Sequence, residues 1–297
     1  MKGTKFIWYT GKFVKWEKAK THVLTHALHY GTGIFEGIRC YPSKTGGLLF
    51  SLNEHINRFF NSAATLKMRL PFSRIQLRRA VVDTVKKNGA FNAYVRPFAF
   101  YGYKKIGPNP ADSPVEIIIA CIPLKGYLPR DFIKVGISKF RRIPPFSGTP
   151  HAKISGMYFN SALATLEAAG RGCDEAIVLD VHGKVAEGAA ENIFIVKKGK
   201  LYTPPGDTIL PGITRGTVFS LAKDLKIKCI EKRISVADLK NADEAFFTGT
   251  AVEIHSIGSV DGKKLPRTNP ITKKLQQYYR KIVRGGILRY RKLLQKV

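Results

Sequence analysis

The sequence predicts a mixed α/β (α+β) protein of two packed domains, on three observations. The chain is 297 residues long, beyond the usual span of one domain and sufficient for two substantial cores. Hydrophobic residues make up 44% and charged residues 24%, which places the chain in the ordinary globular class, and no low-complexity tract or internal repeat interrupts it. Strand and helix signals mix without a steady βαβ rhythm, so a simple doubly wound sheet is not expected. The stretch PLKGYLPRD at 123–131, rich in Pro and Gly between two apolar stretches, marks the expected boundary. The expected organisation is a smaller α/β domain over 1–122, a linker over 123–133 and a larger domain over 134–297.

The elements follow in order. KFIWYTGKFVKW predicts a hairpin turning at Thr10-Gly11, and GGLLFSL a strand. NEHINRFFNSAATLKM predicts a helix capped by Asn53, with Ile56, Phe59, Ala63 and Leu66 inward. A second helix is expected at about 73–88, then the strands AYVRPFAFYG and VEIIIACIPL. Beyond the linker, FIKVGIS reads as a strand. The segment from Ser155 to Gly172 reads as a helix, with Ser155 as N-cap, Met157, Leu163 and Leu166 at helical spacing, and glycines 170 and 172 at its end. EAIVLDVHGKVAEG and NIFIVKKGKLYTPP predict hairpins turning at His182-Gly183 and Lys198-Gly199. LPGITRGTVFSLAKDL opens a helix, EAFFTGTAVEIHSIGSVDGKKL gives strand, loop, strand, and a last helix runs from near Asn269-Pro270 to Gly285-Gly286.

Composition excludes several classes. The longest apolar run, IIIACIPL, is too short to span a bilayer and the lysine-rich N-terminus lacks a signal-peptide core, so a soluble cytoplasmic protein without membrane association is expected. Cysteines 40, 121, 173 and 229 form no CxxC pair, which argues against a zinc site and a disulfide framework. His22, His26 and His29 could share a helix face, yet no carboxylate or cysteine lies nearby, and no metal is expected. GxSxG and HExxH are absent, and HYGTGIFEG fails as a dinucleotide fingerprint because Glu36 stands where the third glycine belongs. The net charge of +29, from 50 Lys+Arg against 21 Asp+Glu, implies anionic partners. From Lys263 to Val297 there are twelve basic residues and no acid, which reads as a solvated basic face; no nucleic-acid motif accompanies it, and no specific nucleic-acid partner is expected.

Lys153 is the first candidate for chemistry, because it stands two residues before the Ser155 helix start. A helix N-terminus carries partial positive charge, so an ammonium there gains nothing, and partial burial would lower its pKa and leave a nucleophilic amine. The alternative is one solvated lysine among many. Arg58 lies one turn after Glu54 on a helix, and Glu191 stands where a loop enters a strand. The amides of Ile213 and Thr214 open the LPGITRG helix and could hold a phosphate, while FTGTA at 247–251 offers a second turn with amides and hydroxyls.

Seven motifs give these residues a common context: HALHYGTGIFEGIRCY, EHINRF, AYVRP, AKISGMY, EGAAENIF, LPGITRG and TGTAVEI. In this order, from about Phe6 to Ile282, they resemble the branched-chain amino acid aminotransferases of the class IV, D-amino acid aminotransferase-like group of pyridoxal-phosphate enzymes. The resemblance implies fold type IV, a cofactor-bearing second domain with the active site in the interdomain cleft, and at least a homodimer. It implies transamination of leucine, isoleucine and valine with 2-oxoglutarate or glutamate, through an internal aldimine on Lys153. By the same resemblance Arg58, Ile213, Thr214 and Thr250 contact the cofactor phosphate, Glu191 its pyridine nitrogen and Tyr158 its phenolic oxygen. Tyr30, Phe35, Tyr94, Arg96, Tyr127 and Ala251 match substrate-pocket positions. KISGMY replaces the family's KAGGNY, with Ile154 and Met157 on the cofactor flank. The alternatives are a D-amino acid aminotransferase or aminodeoxychorismate lyase on the same fold, or a basic polyanion-binding protein without catalysis.

Overall fold

Ile56, Phe59 and Ala63 recur three and four residues apart, and they form one buried stripe of the helix Leu52–Thr65. The helix starts one residue earlier than its expected cap: Asn53 lies inside it, and Ser51 takes the N-cap position in the left-handed conformation. The next helix, Arg74–Asn88, is closed by a capping box in which Ser73 and Gln76 exchange side-chain-to-backbone bonds of 3.3 and 2.8 Å.

The computed structural model describes residues 3–124 and 128–297. The chain divides into two compact units, and the division is not linear in sequence. One unit groups Met1–Lys125 with Ala152–Met157 and Ile282–Val297; the other groups Gly126–His151 with Tyr158–Lys281. The stretch around Lys153, which stands in sequence within 134–297, thus belongs to the first unit.

In the first unit, an antiparallel sheet runs in the order Leu294–Lys296, Gly46–Phe50, Ile38–Ser43, Ala93–Tyr101, Val115–Pro123, Phe6–Tyr9, Lys12–Lys15, with Gly33–Phe35 pairing alongside Ala93–Tyr101. Leu77, Val81 and Val85 of the second helix join Ile56 and Phe59 against Ile38, Val95, Ile117 and Ile119 of the sheet to make one core. The C-terminus is structural as well as basic: Ser51 N–H donates to the Leu293 carbonyl at 2.7 Å, and Leu294–Lys296 is an edge strand of this sheet. The basic side chains from Lys273 to Lys296 are exposed, as a solvated face requires.

The second unit holds a mixed sheet ordered Val185–Gly188, Glu175–Leu179, Phe132–Arg141, Glu253–Val260, Glu244–Gly249, Asn192–Lys197, Lys200–Thr203, Cys229–Glu231. Phe132–Arg141 is parallel to both its neighbours, and Lys200–Thr203 is parallel to Cys229–Glu231. Parallel neighbours need long crossovers. The helices Tyr158–Gly170 and Ile213–Asp224 lie within two of them. The architecture is mixed α/β, and no helix among the described residues is long and apolar enough to cross a membrane.

Candidate active site

In the first unit Lys153 lies in a segment tied down on both sides. Its N–H donates to Ser62 Oγ at 2.9 Å, and its carbonyl accepts from Phe35 N–H at 3.1 Å. Ser155 Oγ accepts from Gly33 N–H at 3.1 Å and lies 2.9 Å from the Gly31 carbonyl, to which it donates. Gly156 N–H donates to that same carbonyl at 3.0 Å. Gly31 sits at φ 65°, and a Cβ there would lie 2.5 Å from Gly156 Cα, so this approach requires glycine. Ser155 is therefore a staple and not the expected N-cap: Ser155–Met157 is a 3₁₀ turn, and the α-helix begins at Tyr158.

Near the lysine lie Arg58 and two groups that sequence reasoning did not join to it, Glu36 and His55. Glu36, fully buried, accepts from Arg58 Nε at 2.6 Å and Nη2 at 2.9 Å, and from His55 Nδ1 at 2.7 Å. Burial opposes ionising Glu36, but the Arg58 and His55 partners prevail and hold its carboxyl well below the usual range. An ionised carboxylate cannot donate, so His55 Nδ1 carries the proton; burial lowers the pKa of this imidazole and keeps it neutral. Burial first, then the Arg58 guanidinium, brings the Lys153 ammonium down to about 8. The lowered pKa expected from the sequence is present; burial, an expected cause, leads, and Arg58 stands where a helix end was expected. His55 stands three residues before Arg58 and shares its helix face, a signal the sequence carried. In the sequence Glu36 stands out only as the residue that breaks a nucleotide motif.

Arg96 and Tyr94 share a strand face, as their spacing predicts, and Arg96 Nη2 donates to the Tyr94 hydroxyl at 3.2 Å. The Arg96 guanidinium lies 4.6 Å from the centre of the Phe35 ring, and Lys153 Nζ lies 4.8 Å from that same centre. Arg96 Nε is buried without a hydrogen-bond partner, and no carboxylate among the described residues pairs with this guanidinium. The Tyr30 hydroxyl accepts from Gly107 N–H at 2.9 Å. Tyr127 lies outside the described residues.

The second unit holds the other candidates. Glu191 is buried at the start of Asn192–Lys197; its carbonyl accepts from Gly188 N–H at 2.6 Å and its Oε2 from Ala190 N–H at 3.1 Å. A Cβ at Gly249 would lie 3.6 Å from Glu191 Cγ, which places Glu191 beside the turn that carries Thr250 and Ala251. Ile213 and Thr214 open their helix behind Gly212, an N-cap that supplies no side-chain bond to the first amides. Tyr158 is the first residue of the helix Tyr158–Gly170. Among the described residues no group of His, Cys, Asp or Glu could hold a metal ion.

Residues 33–260 match the family described as amino-transferase class IV. The chain belongs to the class IV aminotransferases. It is 44% identical over 285 residues to a branched-chain-amino-acid aminotransferase of Pseudomonas aeruginosa, covering 94% of this chain and 93% of that one. Among solved structures, the branched-chain aminotransferase of the archaeon Thermoproteus uzoniensis, crystallised with norvaline, matches with a TM-score of 0.95 and 42% identity over 99% of each chain. The branched-chain amino acid aminotransferase of Thermobaculum terrenum, in its PLP-bearing holo form, matches at 0.93 and 33% identity over 99% of each chain. This class IV aminotransferase therefore has the fold-type-IV architecture.

Proposed function

We propose that the chain is a pyridoxal 5'-phosphate-dependent aminotransferase that exchanges amino groups between leucine, isoleucine or valine and 2-oxoglutarate. The carrying observation is Lys153, an amine brought down to about 8 beside an arginine in a chain similar throughout to branched-chain aminotransferases. The residues fit the cofactor. Near neutrality Lys153 supplies an amine that is readily deprotonated, Glu191 a buried carboxylate for a ring nitrogen, and the helix behind Gly212 uncapped amides for a phosphate.

Bound pyridoxal phosphate supplies the electron sink that accepts the pair left when a proton leaves the substrate α-carbon. The chain does the rest. Glu191 would hold a proton on the ring nitrogen, which would strengthen that sink. Arg58, kept in place by Glu36, and the amides of Ile213 and Thr214 with Thr250 would balance the phosphate charge. Tyr158 would bond the phenolic oxygen. Lys153 Nζ, as an amine that is readily deprotonated near neutrality, would serve as the base for the substrate α-proton.

Substrate choice rests on Arg96. Burying the second carboxylate of glutamate against an apolar wall alone would be very costly. Arg96 with Tyr30 would meet that carboxylate; Tyr94, and the amides near Thr250 and Ala251, would hold the α-carboxylate; Phe35 would provide apolar wall for the branched side chains. The Arg96 Nε without a partner supports a ligand over a structural ion pair. Kinetics of R96M test this: KM should rise far more for glutamate and 2-oxoglutarate than for leucine, by about 2 to 5 kcal/mol in binding terms. Equal losses for all substrates would return Arg96 to a structural role. The exposed apolar side chains Val23, Leu28 and Ile106 support a homodimer or higher homo-oligomer, which light scattering would read directly.

A further inference from the structure

We propose that Glu187 and Asn192 are positioning residues that set the spacing between Glu191 and the first amides of the helix Ile213–Asp224. The inference rests on the reading above, in which those two groups hold opposite ends of pyridoxal phosphate.

Both polar groups of one loop residue are held by side chains from the sheet. Leu210 N–H donates to Glu187 Oε2 at 3.3 Å, and the Leu210 carbonyl accepts from Asn192 Nδ2 at 2.9 Å. Asn192 Nδ2 also donates to Glu187 Oε2 at 3.2 Å, so the clamp closes on itself and fixes which way the amide points. Arg142 Nε on Glu187 Oε1, at 2.6 Å, sets the plane of the carboxylate. Glu187 is 7% and Asn192 4% exposed, so any group released from the network stays out of water and pays for it; the clamp persists for that reason.

Its position joins two anchors. On one side, Glu187 and Asn192 bracket the loop 188–191, in which Gly188 N–H closes onto the Glu191 carbonyl. On the other, Leu210 stands two residues before Gly212, the N-cap of the helix. A Cβ at Gly212 would lie 2.0 Å from Asn192 Oδ1, so the N-cap backbone rests directly on the clamp and only glycine fits there. A ligand gripped at both ends binds well only if the two grips are correctly spaced before it arrives. Without the clamp the phosphate grip drifts relative to Glu191, and a ligand lacking the phosphate is indifferent to that drift.

The test titrates apo wild type and N192A with pyridoxal phosphate and with pyridoxal, and records the ³¹P resonance of the bound phosphate. N192A should weaken pyridoxal phosphate about 10- to 100-fold, the effect of breaking buried hydrogen bonds, and pyridoxal by less than about threefold, with a shifted ³¹P line. G212A should give the same phosphate-selective loss, and in the N192A background it should add nothing, because the atom it strikes is gone. E187Q, which retains an oxygen for Leu210 N–H but loses the Arg142 ion pair, should show a smaller loss of the same selectivity and serves if N192A does not fold. Equal weakening of both ligands, a lower melting temperature with unchanged affinities, or strictly additive N192A and G212A losses would overturn the proposal. Wild type that takes up no pyridoxal phosphate would instead overturn the reading on which it rests.

Discussion

On the proposed reading Lys153 carries the chemistry, and burying its ammonium has a cost. Its folded-state pKa of about 8 lies below that of a lysine in the unfolded chain, so between the two values the unfolded state binds more protons. Stability from this residue therefore rises as pH climbs from about 8 towards the unfolded value, and below 8 the buried ammonium destabilises the fold. Apo K153M should melt higher than apo wild type at pH 7, and the gap should narrow as pH is raised through 8 to beyond 10. A pH-independent gap would mean that Lys153 is not buried as a charge. At this scale the candidate groups are legible as types in motifs: a lysine, an arginine, a carboxylate and helix amides. Glu36, Glu187 and Asn192 are not, because their roles consist of partners 22, 45 and 18 residues away that only folding brings near.

At the scale of elements, the lysine is held by a loop and not by its helix. The sequence pattern after Ser155 suggested a helix start, since Ser is a good N-cap. A hydroxyl that can accept at an N-cap can equally accept a distant amide and donate to a carbonyl, and in the fold Ser155 is engaged by Gly31 and Gly33, 124 and 122 residues distant. Spacing alone cannot rank those uses. Hairpins and helices were legible where turn residues and periodicity act locally, as in the helix Arg74–Asn88. The nonlinear division of the chain was not, because it depends on such distant bonds. G31A tests the loop: the left-handed backbone costs about 1 to 2 kcal/mol with a side chain, before the collision with Gly156 is counted. The variant should melt lower, and the pH at which the Lys153 amine becomes reactive should move above 8 as the lysine loosens. Wild-type behaviour in both would show that the 152–157 segment is fixed by something else.

For the whole molecule, the charge of +29 and the basic C-terminus are separate matters. Residues 287–297 carry four of the 50 basic residues, yet they also supply an edge strand and the buried Tyr290. Their deletion should lower the melting temperature while leaving retention on a polyanion column nearly unchanged, and moderate salt should abolish retention in both forms. A complex lost on deletion and surviving physiological salt in the wild type would make the tail a binding element.

The central claim is transamination through Lys153, and one experiment addresses it most directly. Wild type and K153A, each supplied with pyridoxal phosphate, are assayed for glutamate formed from 2-oxoglutarate with L-leucine and with D-alanine as donors, and borohydride-reduced samples are mapped for cofactor-bearing peptides. Glutamate should form from L-leucine in the wild type alone, D-alanine should be a poor donor, and the reduced cofactor should lie on Lys153. Glutamate formed equally by K153A, preference for D-alanine, or cofactor fixed on another residue would contradict the account.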